Sequence, residues 1–132
     1  MQAETKRKTP PSVMALAYLG DARHSLYVRR MLVESGIAKP KELNEKALLY
    51  VTAEAQSKLF SKIENELSEE EKATFKRAFN SGHLNRPKHA SLKEYRVATG
   101  FEAVIGLLEW QKDELRLEYL LNLAHREDEK ND

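Results

Sequence analysis

Two acidic residues stand among small and apolar neighbours, where a carboxylate is out of place. Asp21 lies in residues 17–22 and Glu102 lies in residues 100–106, and each is flanked by glycine, alanine and apolar side chains. A carboxylate in such surroundings loses hydration unless a hydrogen-bond donor or a cation compensates for it. The small neighbours also leave space beside each charge. The two acids are therefore the first candidates for chemistry, and they favour a site in which they converge.

Converging carboxylates repel each other, and a divalent cation relieves that repulsion. Mg²⁺ binds through one or two carboxylates and keeps several waters, which leaves room for a phosphate group. A metal held in this way can activate a water and neutralise charge on a scissile phosphodiester. The alternative is that each acid is an ordinary boundary residue in a salt bridge, for example with Arg23 or Arg96. Composition alone leaves both interpretations open.

A basic segment leads directly into the helix that carries Glu102. Between residues 76 and 96 the chain holds six basic residues and a single acid, whereas the whole chain has a net charge of only +1. Such a distribution is typical of a polyanion-binding face, although it also occurs in solvated loops. Tyr95 adds an aromatic hydroxyl. A metal pocket with a basic rim would suit cleavage of a nucleic-acid backbone; the rim residues are Arg77, Arg86, Lys88 and Arg96.

Length and composition narrow the class of protein. The chain has 132 residues and no cysteine, which fits a single domain with a real core and excludes disulfides and thiolate metal sites. It has neither a Gly-x-Ser-x-Gly motif nor a P-loop, and its four histidines lack zinc-ligand spacing. The N-terminus is polar and basic, and no apolar run is long enough for a membrane span. These features predict a cytoplasmic protein without membrane contact.

Apolar residues recur at helical spacing along most of the chain, with no strand pattern, so the sequence predicts an all-α domain. Ser12, Ser68 and Ser91 are expected N-caps, and Ser68 begins a capping box. We expect a flexible basic arm over residues 1–11, the helical domain over 12–125 and a charged tail over 126–132. The first predicted helix runs from Val13 to about Glu34, the second begins at Pro40 and the third at about Thr52. The fourth follows Ser68 and runs to about Phe79, the fifth follows Ser91 and runs through Leu108 with Trp110 as an open end, and the sixth runs from about Asp113 to His125.

The first and fifth helices are the most apolar, and they carry Asp21 and Glu102. We therefore expect both to be central. Small residues lie one turn from each acid, and they form grooves that would let the two helices pack closely and bring the carboxylates together. The groove residues are Ala17, Gly20, Ala98 and Gly106.

At this point the motifs resemble a known family. Residues 15–22, Ala-Leu-Ala-Tyr-Leu-Gly-Asp-Ala, are similar to the signature helix of ribonuclease III, and residues 101–106, Phe-Glu-Ala-Val-Ile-Gly, are similar to its second acidic motif. The closer resemblance is to the Mini-III ribonucleases, which consist of the catalytic domain alone. It covers residues 12–122 and leaves no room for a double-stranded-RNA-binding domain after them. Residues 27–29, 87–88 and 95–96 also resemble Mini-III positions.

The resemblance implies an all-α homodimer of the ribonuclease III type with one active centre per subunit. It implies hydrolysis of double-stranded RNA to 5′-phosphate and 3′-hydroxyl ends, dependent on Mg²⁺ with Mn²⁺ as a substitute. The family's substrate is the precursor of 23S ribosomal RNA. Asp21 and Glu102 correspond to the metal-binding catalytic acids. The positions that correspond more loosely to RNA-contacting residues are Arg77, Asn80, Lys88, Tyr95 and Arg96.

The sequence departs from full-length ribonuclease III at two positions. The larger enzymes have further acids seven residues before the signature aspartate and three before the second glutamate, and here those positions are Met14 and Thr99. Mini-III members share this pattern, so activity is still expected, with weaker metal binding. One alternative is a catalytically silent ribonuclease III-like module that only binds RNA or dimerises. Another is a helical protein-interaction domain whose acids form ordinary salt bridges.

Overall fold

Six α-helices and one short 3₁₀ turn account for the ordered elements of the computed structural model, which describes residues 9–81 and 89–127. No strand occurs in these ranges, which confirms the all-α prediction. The 3₁₀ turn, Glu64–Glu66, was not predicted. The helices are α1 (Val13–Glu34), α2 (Pro40–Val51), α3 (Ala53–Ser61), α4 (Glu69–Phe79), α5 (Leu92–Trp110) and α6 (Glu114–His125).

Some predictions fall outside the described residues. They concern most of the arm and the tail, together with Arg86 and Lys88. Within the described ranges, no helix is both long and apolar enough to cross a membrane.

Local capping fixes where most of the helices begin. The side chains of Ser12, Thr52 and Asp113 each accept a hydrogen bond from a backbone N–H in the first turn of α1, α3 and α6. Ser68 and Ser91 form complete capping boxes at the starts of α4 and α5. These caps satisfy backbone donors that the helix itself leaves unpaired. Because Ser91 fixes the start of α5, it also fixes which face of that helix presents Glu102.

Helix α5 is the centre of the domain, and α1, α3 and α4 pack around it. Residues Ala98 to Gly106 of α5 are all buried except Glu102, which is half-buried. Phe101, Val104 and Ile105 join side chains of α3 and α6 in the main apolar core. Glu102 is therefore held on an element that has almost no freedom to move.

Helices α1 and α5 touch backbone to backbone. A Cβ atom on Gly20 would lie 1.7 Å from the backbone oxygen of Glu102, and one on Gly106 would lie 1.8 Å from the backbone oxygen of Leu16. Only glycine permits so close an approach at both positions. The expectation that small residues let these two helices pack closely is thus met by Gly20 and Gly106.

The sequence predicts that both α1 and α5 are central, and the structure shows that α1 is enclosed on one side only. Helix α1 buries one side against α5, but Tyr18 is 84% exposed, and Leu26 and Val33 are exposed as well. The sequence overstated the burial of α1 because apolar residues occur on both sides of that helix. One apolar side contacts the core, and the other is open in the single chain.

Candidate active site

The side chains of Asp21 and Glu102 meet where α1 crosses α5. Gly20 rests against the backbone of Glu102, so the next residue, Asp21, begins beside that carboxylate. The two carboxyl groups are in hydrogen-bond contact. Residues 81 positions apart in the chain thus form one acidic pair. The glycine contact positions this pair, because it sets the distance between the two helices.

The two acids differ in their exposure. Asp21 is exposed to solvent, whereas Glu102 is half-buried. The expectation that both carboxylates lose hydration was therefore correct only for Glu102. The reason is the asymmetry of the two helices: Asp21 lies at the open side of α1, and Glu102 lies on the enclosed α5. The pair has one carboxylate facing solvent and a second one behind it.

Burial is the main cause that raises the pKa of Glu102 to about 8. The charge of Asp21 and a hydrogen bond with that residue raise it further, and a hydrogen bond with Gln56 opposes the change. A desolvated carboxylate next to a second negative charge holds its proton more tightly. At neutral pH and without a cation, Glu102 therefore keeps its proton. A positive charge at the pair would displace that proton.

The donor set of the pair fits a hard divalent cation. Carboxylate oxygens are the ligands that Mg²⁺ and Mn²⁺ prefer, and Mg²⁺ needs only one or two of them from the protein. In the described part of the chain, no group of three or more acidic, histidine or cysteine side chains meets in one place. Any further ligands would have to be water or phosphate oxygens.

The two positions that are acidic in the larger enzymes contribute nothing to the pair. The hydroxyl of Thr99 donates to the backbone oxygen of Tyr95 on its own helix, at 3.0 Å. Met14 is 39% exposed, and its sulfur accepts a hydrogen bond from Ser81 at 3.6 Å. Among the residues that the structure describes, the site therefore has only the two acids that the sequence predicted.

Neither acid forms a salt bridge with a residue in the described ranges. Arg23, one of the expected partners, pairs instead with Glu109 at 3.2 Å and Glu114 at 3.7 Å. The guanidinium of Arg96, the other expected partner, lies 5.6 Å from the ring centroid of Phe79. The interpretation of Asp21 and Glu102 as salt-bridged boundary residues thus finds no support in this part of the structure.

The structure places Arg96, one of the predicted rim residues, against Phe79 at the C-terminal end of α4. Arg77 and Asn80 are exposed at the C-terminal end of α4, and Arg96 reaches that end through its contact with Phe79. The Nε atom of Arg96 is buried and has no hydrogen-bond partner among the described residues. Tyr95 is half-buried in the first turns of α5. Arg96 precedes Glu102 on the same helix by less than two turns.

Sequence reasoning missed a buried polar chain behind the pair. Gln56 on α3 is 2% exposed and hydrogen-bonds with Glu102. Its Nε2 atom lies 3.2 Å from Nδ1 of His24, and Nε2 of His24 lies 2.9 Å from Nε2 of His125. Burial lowers the pKa of His24 to about 3 and that of His125 to about 4, so both rings are neutral. The sequence feature that could have indicated this chain is Gln56 itself, a polar residue in the apolar stripe of α3, four residues before Phe60.

Comparison with known proteins agrees with this arrangement. The profile of the family described as Ribonuclease III domain matches residues 14–113. The chain is 40% identical to the Mini-ribonuclease 3 of Streptococcus pneumoniae over 111 residues, which is 83% of this chain and 87% of that protein. It is 41% identical to the Mini-ribonuclease 3 of Enterococcus faecalis over 111 residues, 83% of this chain and 84% of that protein.

The fold is similar to a solved structure as well. The X-ray crystal structure of a protein from Fusobacterium nucleatum superposes with a TM-score of 0.78 at 35% sequence identity, covering 86% of this chain and 90% of that one. The chain therefore belongs to the ribonuclease III family and, within it, to the Mini-ribonuclease 3 group. The resemblance, the ribonuclease III-type fold and the expectation of an endoribonuclease are confirmed.

Proposed function

We propose that this chain hydrolyses the backbone of double-stranded RNA in the cytoplasm, with Mg²⁺ or Mn²⁺ held by Asp21 and Glu102. The proposal extends to 5′-phosphate and 3′-hydroxyl ends and to the precursor of 23S ribosomal RNA as the substrate. The observation that carries it is the contact of the two carboxyl groups at the α1–α5 crossing. It is supported by the printed names of the relatives.

The different exposure of the two acids suggests a different role for each in binding the cation and the RNA. Asp21 faces solvent and can meet an RNA strand directly, whereas Glu102 supplies a second oxygen ligand from a fixed position on α5. When bound, the cation would supply an activated water and neutralise charge that develops on the phosphate. Glu102 must give up its proton for this, since its oxygens cannot ligate a metal fully while protonated. Gly20 and Gly106 keep the two carboxyl groups close enough to share one ion.

We further propose that the basic rim holds the phosphates of the duplex. A-form RNA is recognised mainly through its backbone and 2′-hydroxyls across a wide minor groove, so exposed cations near the acids suit it. Arg77, Asn80, Tyr95 and Arg96 supply this surface among the described residues, and Arg86 and Lys88 are assigned to it from the sequence alone. The guanidinium of Arg96 carries further N–H donors besides its buried Nε, and a phosphate could use them.

The exposed apolar side of α1 supports the proposal that the chain acts as a homodimer. Tyr18, Leu26 and Val33 project from the side of α1 that α5 leaves open. Large apolar side chains grouped on one helix commonly mark an interface between subunits. A second copy of α1 could cover them, and a dimer would present one acidic pair to each strand of a duplex.

The test is incubation of the full chain with a perfect RNA duplex and Mg²⁺, with mapping of the product ends. Hydrolysis of the proposed kind yields 5′-phosphate and 3′-hydroxyl termini, and EDTA abolishes it. Sizing of the protein by sedimentation in the same buffer checks the dimer. Cleavage that persists in EDTA, or products with 3′-phosphate ends, would contradict the proposal.

A catalytically silent RNA-binding module is the second candidate, and Met14 and Thr99 are the observation that favours it. The pair has no additional acid in the described ranges, so its metal affinity depends on two side chains alone. A silent module would bind duplex RNA and release no product at any Mg²⁺ concentration. The same incubation therefore separates the two candidates.

A further inference from the structure

We infer that Gln56 is a positioning residue for the acidic pair, and that His24 and His125 orient its amide toward Glu102. This inference rests on the proposed function, because it concerns how Glu102 is prepared to bind a cation. It adds three residues on three different helices to the machinery behind the site. None of them has to touch RNA or the metal.

Gln56 is a buried polar residue with polar neighbours on two sides. It is 2% exposed and lies on α3, and hydrogen bonding by its side chain lowers the pKa of Glu102, against the effect of burial. A polar amide enclosed in protein costs free energy unless its hydrogen bonds are satisfied. Its Nε2 atom lies 3.2 Å from Nδ1 of His24, which supplies the second partner. The amide is thus held between a carboxylate and an imidazole.

The cation-bound form fixes the direction of the hydrogen bonds. With a cation bound, Glu102 is ionised and only accepts hydrogen bonds, so the amide nitrogen of Gln56 must then face Glu102 as a donor. Its other N–H then donates to Nδ1 of His24, which requires a neutral ring with its proton on Nε2. That Nε2 donates in turn to Nε2 of His125, 2.9 Å away. In this arrangement the proton of His125 lies on its Nδ1, which is buried and has no hydrogen-bond partner among the described residues.

The rings of His24 and His125 are enclosed by aromatic neighbours that keep them fixed. The ring of His24 is fully buried and meets Phe101 edge to face, with centroids 5.1 Å apart. The ring of His125 lies 4.8 Å from that of Tyr27 and 5.5 Å from that of Tyr50. His24 therefore has no room to rotate, and its Nδ1 lone pair determines which end of the Gln56 amide faces the site. A flipped amide would turn its oxygen against the carboxylate.

The consequence for the site is a donor behind Glu102, on the side opposite to solvent. A hydrogen bond to the ionised form stabilises the charge that Glu102 must carry when it binds a cation. It also fixes the rotation of the carboxyl group. Residues that hydrogen-bond to metal ligands typically change metal affinity or activity by about 10- to 100-fold when they are replaced.

The test uses Gln56→Met, which keeps the length of the side chain and removes the amide. Calorimetric titration of the RNA-free full chain with Mn²⁺ should give an affinity about 10- to 100-fold below that of the wild type. Cleavage of duplex RNA should show a lower kcat at fixed Mg²⁺, an unchanged KM for RNA, and partial recovery at high Mg²⁺. A purely structural role would not produce this dependence on metal concentration.

Phe60→Leu is the matched control. Phe60 lies one turn further along α3 and stacks on Phe75, with centroids 4.2 Å apart, so its replacement loosens the same helix. Phe60 belongs to the apolar core and to the stack with Phe75, so the Mn²⁺ affinity of the Phe60→Leu variant should equal that of the wild type. His24→Phe keeps a ring against Phe101 but removes the acceptor for the Gln56 amide, and it should show a smaller loss in the same direction.

The outcomes are distinct. Mn²⁺ binding at the wild-type affinity in folded Gln56→Met, with binding abolished in Asp21→Asn, would overturn the inference and leave the proposed function intact. If Asp21→Asn binds Mn²⁺ with the same affinity as the wild type, both the inference and the proposed function are overturned. If thermal melting shows that Gln56→Met is unfolded, His24→Phe decides the question, and an unchanged Mn²⁺ affinity there contradicts the inference.

Discussion

Gly20 lies directly against the backbone oxygen of Glu102, so close that a Cβ atom on the glycine would come within 1.7 Å of that oxygen. This one contact joins the helix of the first acid to the backbone of the second. The contact between Gly106 and Leu16, one turn along α5, repeats it. The distance between the two carboxyl groups is therefore set by two glycines rather than by the acids themselves.

Gly20→Ala should separate α1 from α5 and thereby the acidic pair. Inserting a methyl group into so tight a contact costs about 1–3 kcal/mol of stability, or more where backbone must move. Chemical denaturation measures this loss, and Mn²⁺ titration should reveal weaker binding in the folded protein. Gly100→Ala is the control, since its Cβ would meet the side chain of Phe75 instead of backbone. It should lose stability and keep its metal affinity.

The pKa of Glu102 predicts how metal binding depends on pH. Because that pKa is raised to about 8 without a cation, a cation must displace the proton below that pH. The apparent Mn²⁺ affinity should rise by up to about tenfold per pH unit below about pH 8 and level off above it. Calorimetry in buffers of different ionisation enthalpy would count the proton released. An affinity that is flat from pH 6 to 8 would contradict the raised pKa.

The two buried histidines predict a loss of stability in acid. Burial lowers the pKa of His24 from its ordinary value of 6.5 to about 3, and the neighbouring His125 contributes to this shift. A depressed folded-state pKa gives a stability contribution that is present above about pH 6.5 and is lost as pH falls toward 3. The difference in unfolding free energy between wild type and His24→Phe should therefore shift in favour of the variant as pH falls from 7 to 4. A difference independent of pH would indicate that His24 is not buried and neutral.

Arg96 should contribute to RNA affinity through a phosphate. Arg96→Ala should weaken duplex binding for every sequence alike. It should also reduce the steepness of log affinity against log salt by about one, which corresponds to one lost phosphate contact. Binding is measured with catalysis suppressed by Ca²⁺ or by the Asp21→Asn background. Lys58→Ala, an exposed cation on α3, is the control and should leave affinity and slope unchanged. Equal behaviour of the two variants would remove Arg96 from the proposed rim.

The sequence predicted those features of the fold that depend on short stretches of chain. Ser12, Ser68 and Ser91 sit at the expected helix starts because a cap needs only the three residues that follow it. The close packing of α1 on α5 was also accessible, because Gly20 and Gly106 accompany the acids in their motifs. These features require no knowledge of how the remaining helices are arranged.

The features that the sequence did not reveal depend on contacts between distant elements. That Asp21 is exposed and Glu102 enclosed follows from which side of α1 is left open, and helical periodicity does not specify this. The contact of Gln56 with Glu102 requires α3 to pack beside α5 at one particular rotation. A glutamine in an apolar stripe predicts that a buried polar contact exists, but it does not predict which residue is the partner.

The most direct test of the proposed metal site is cleavage of a perfect RNA duplex by Asp21→Asn and Glu102→Gln in Mg²⁺. Both substitutions keep the shape of the side chain and remove a charged oxygen ligand. We expect each variant to bind the duplex with the affinity of the wild type and to release no product. Mg²⁺-dependent cleavage that persists at the wild-type rate in either variant would contradict the assignment of these two acids as the catalytic metal site.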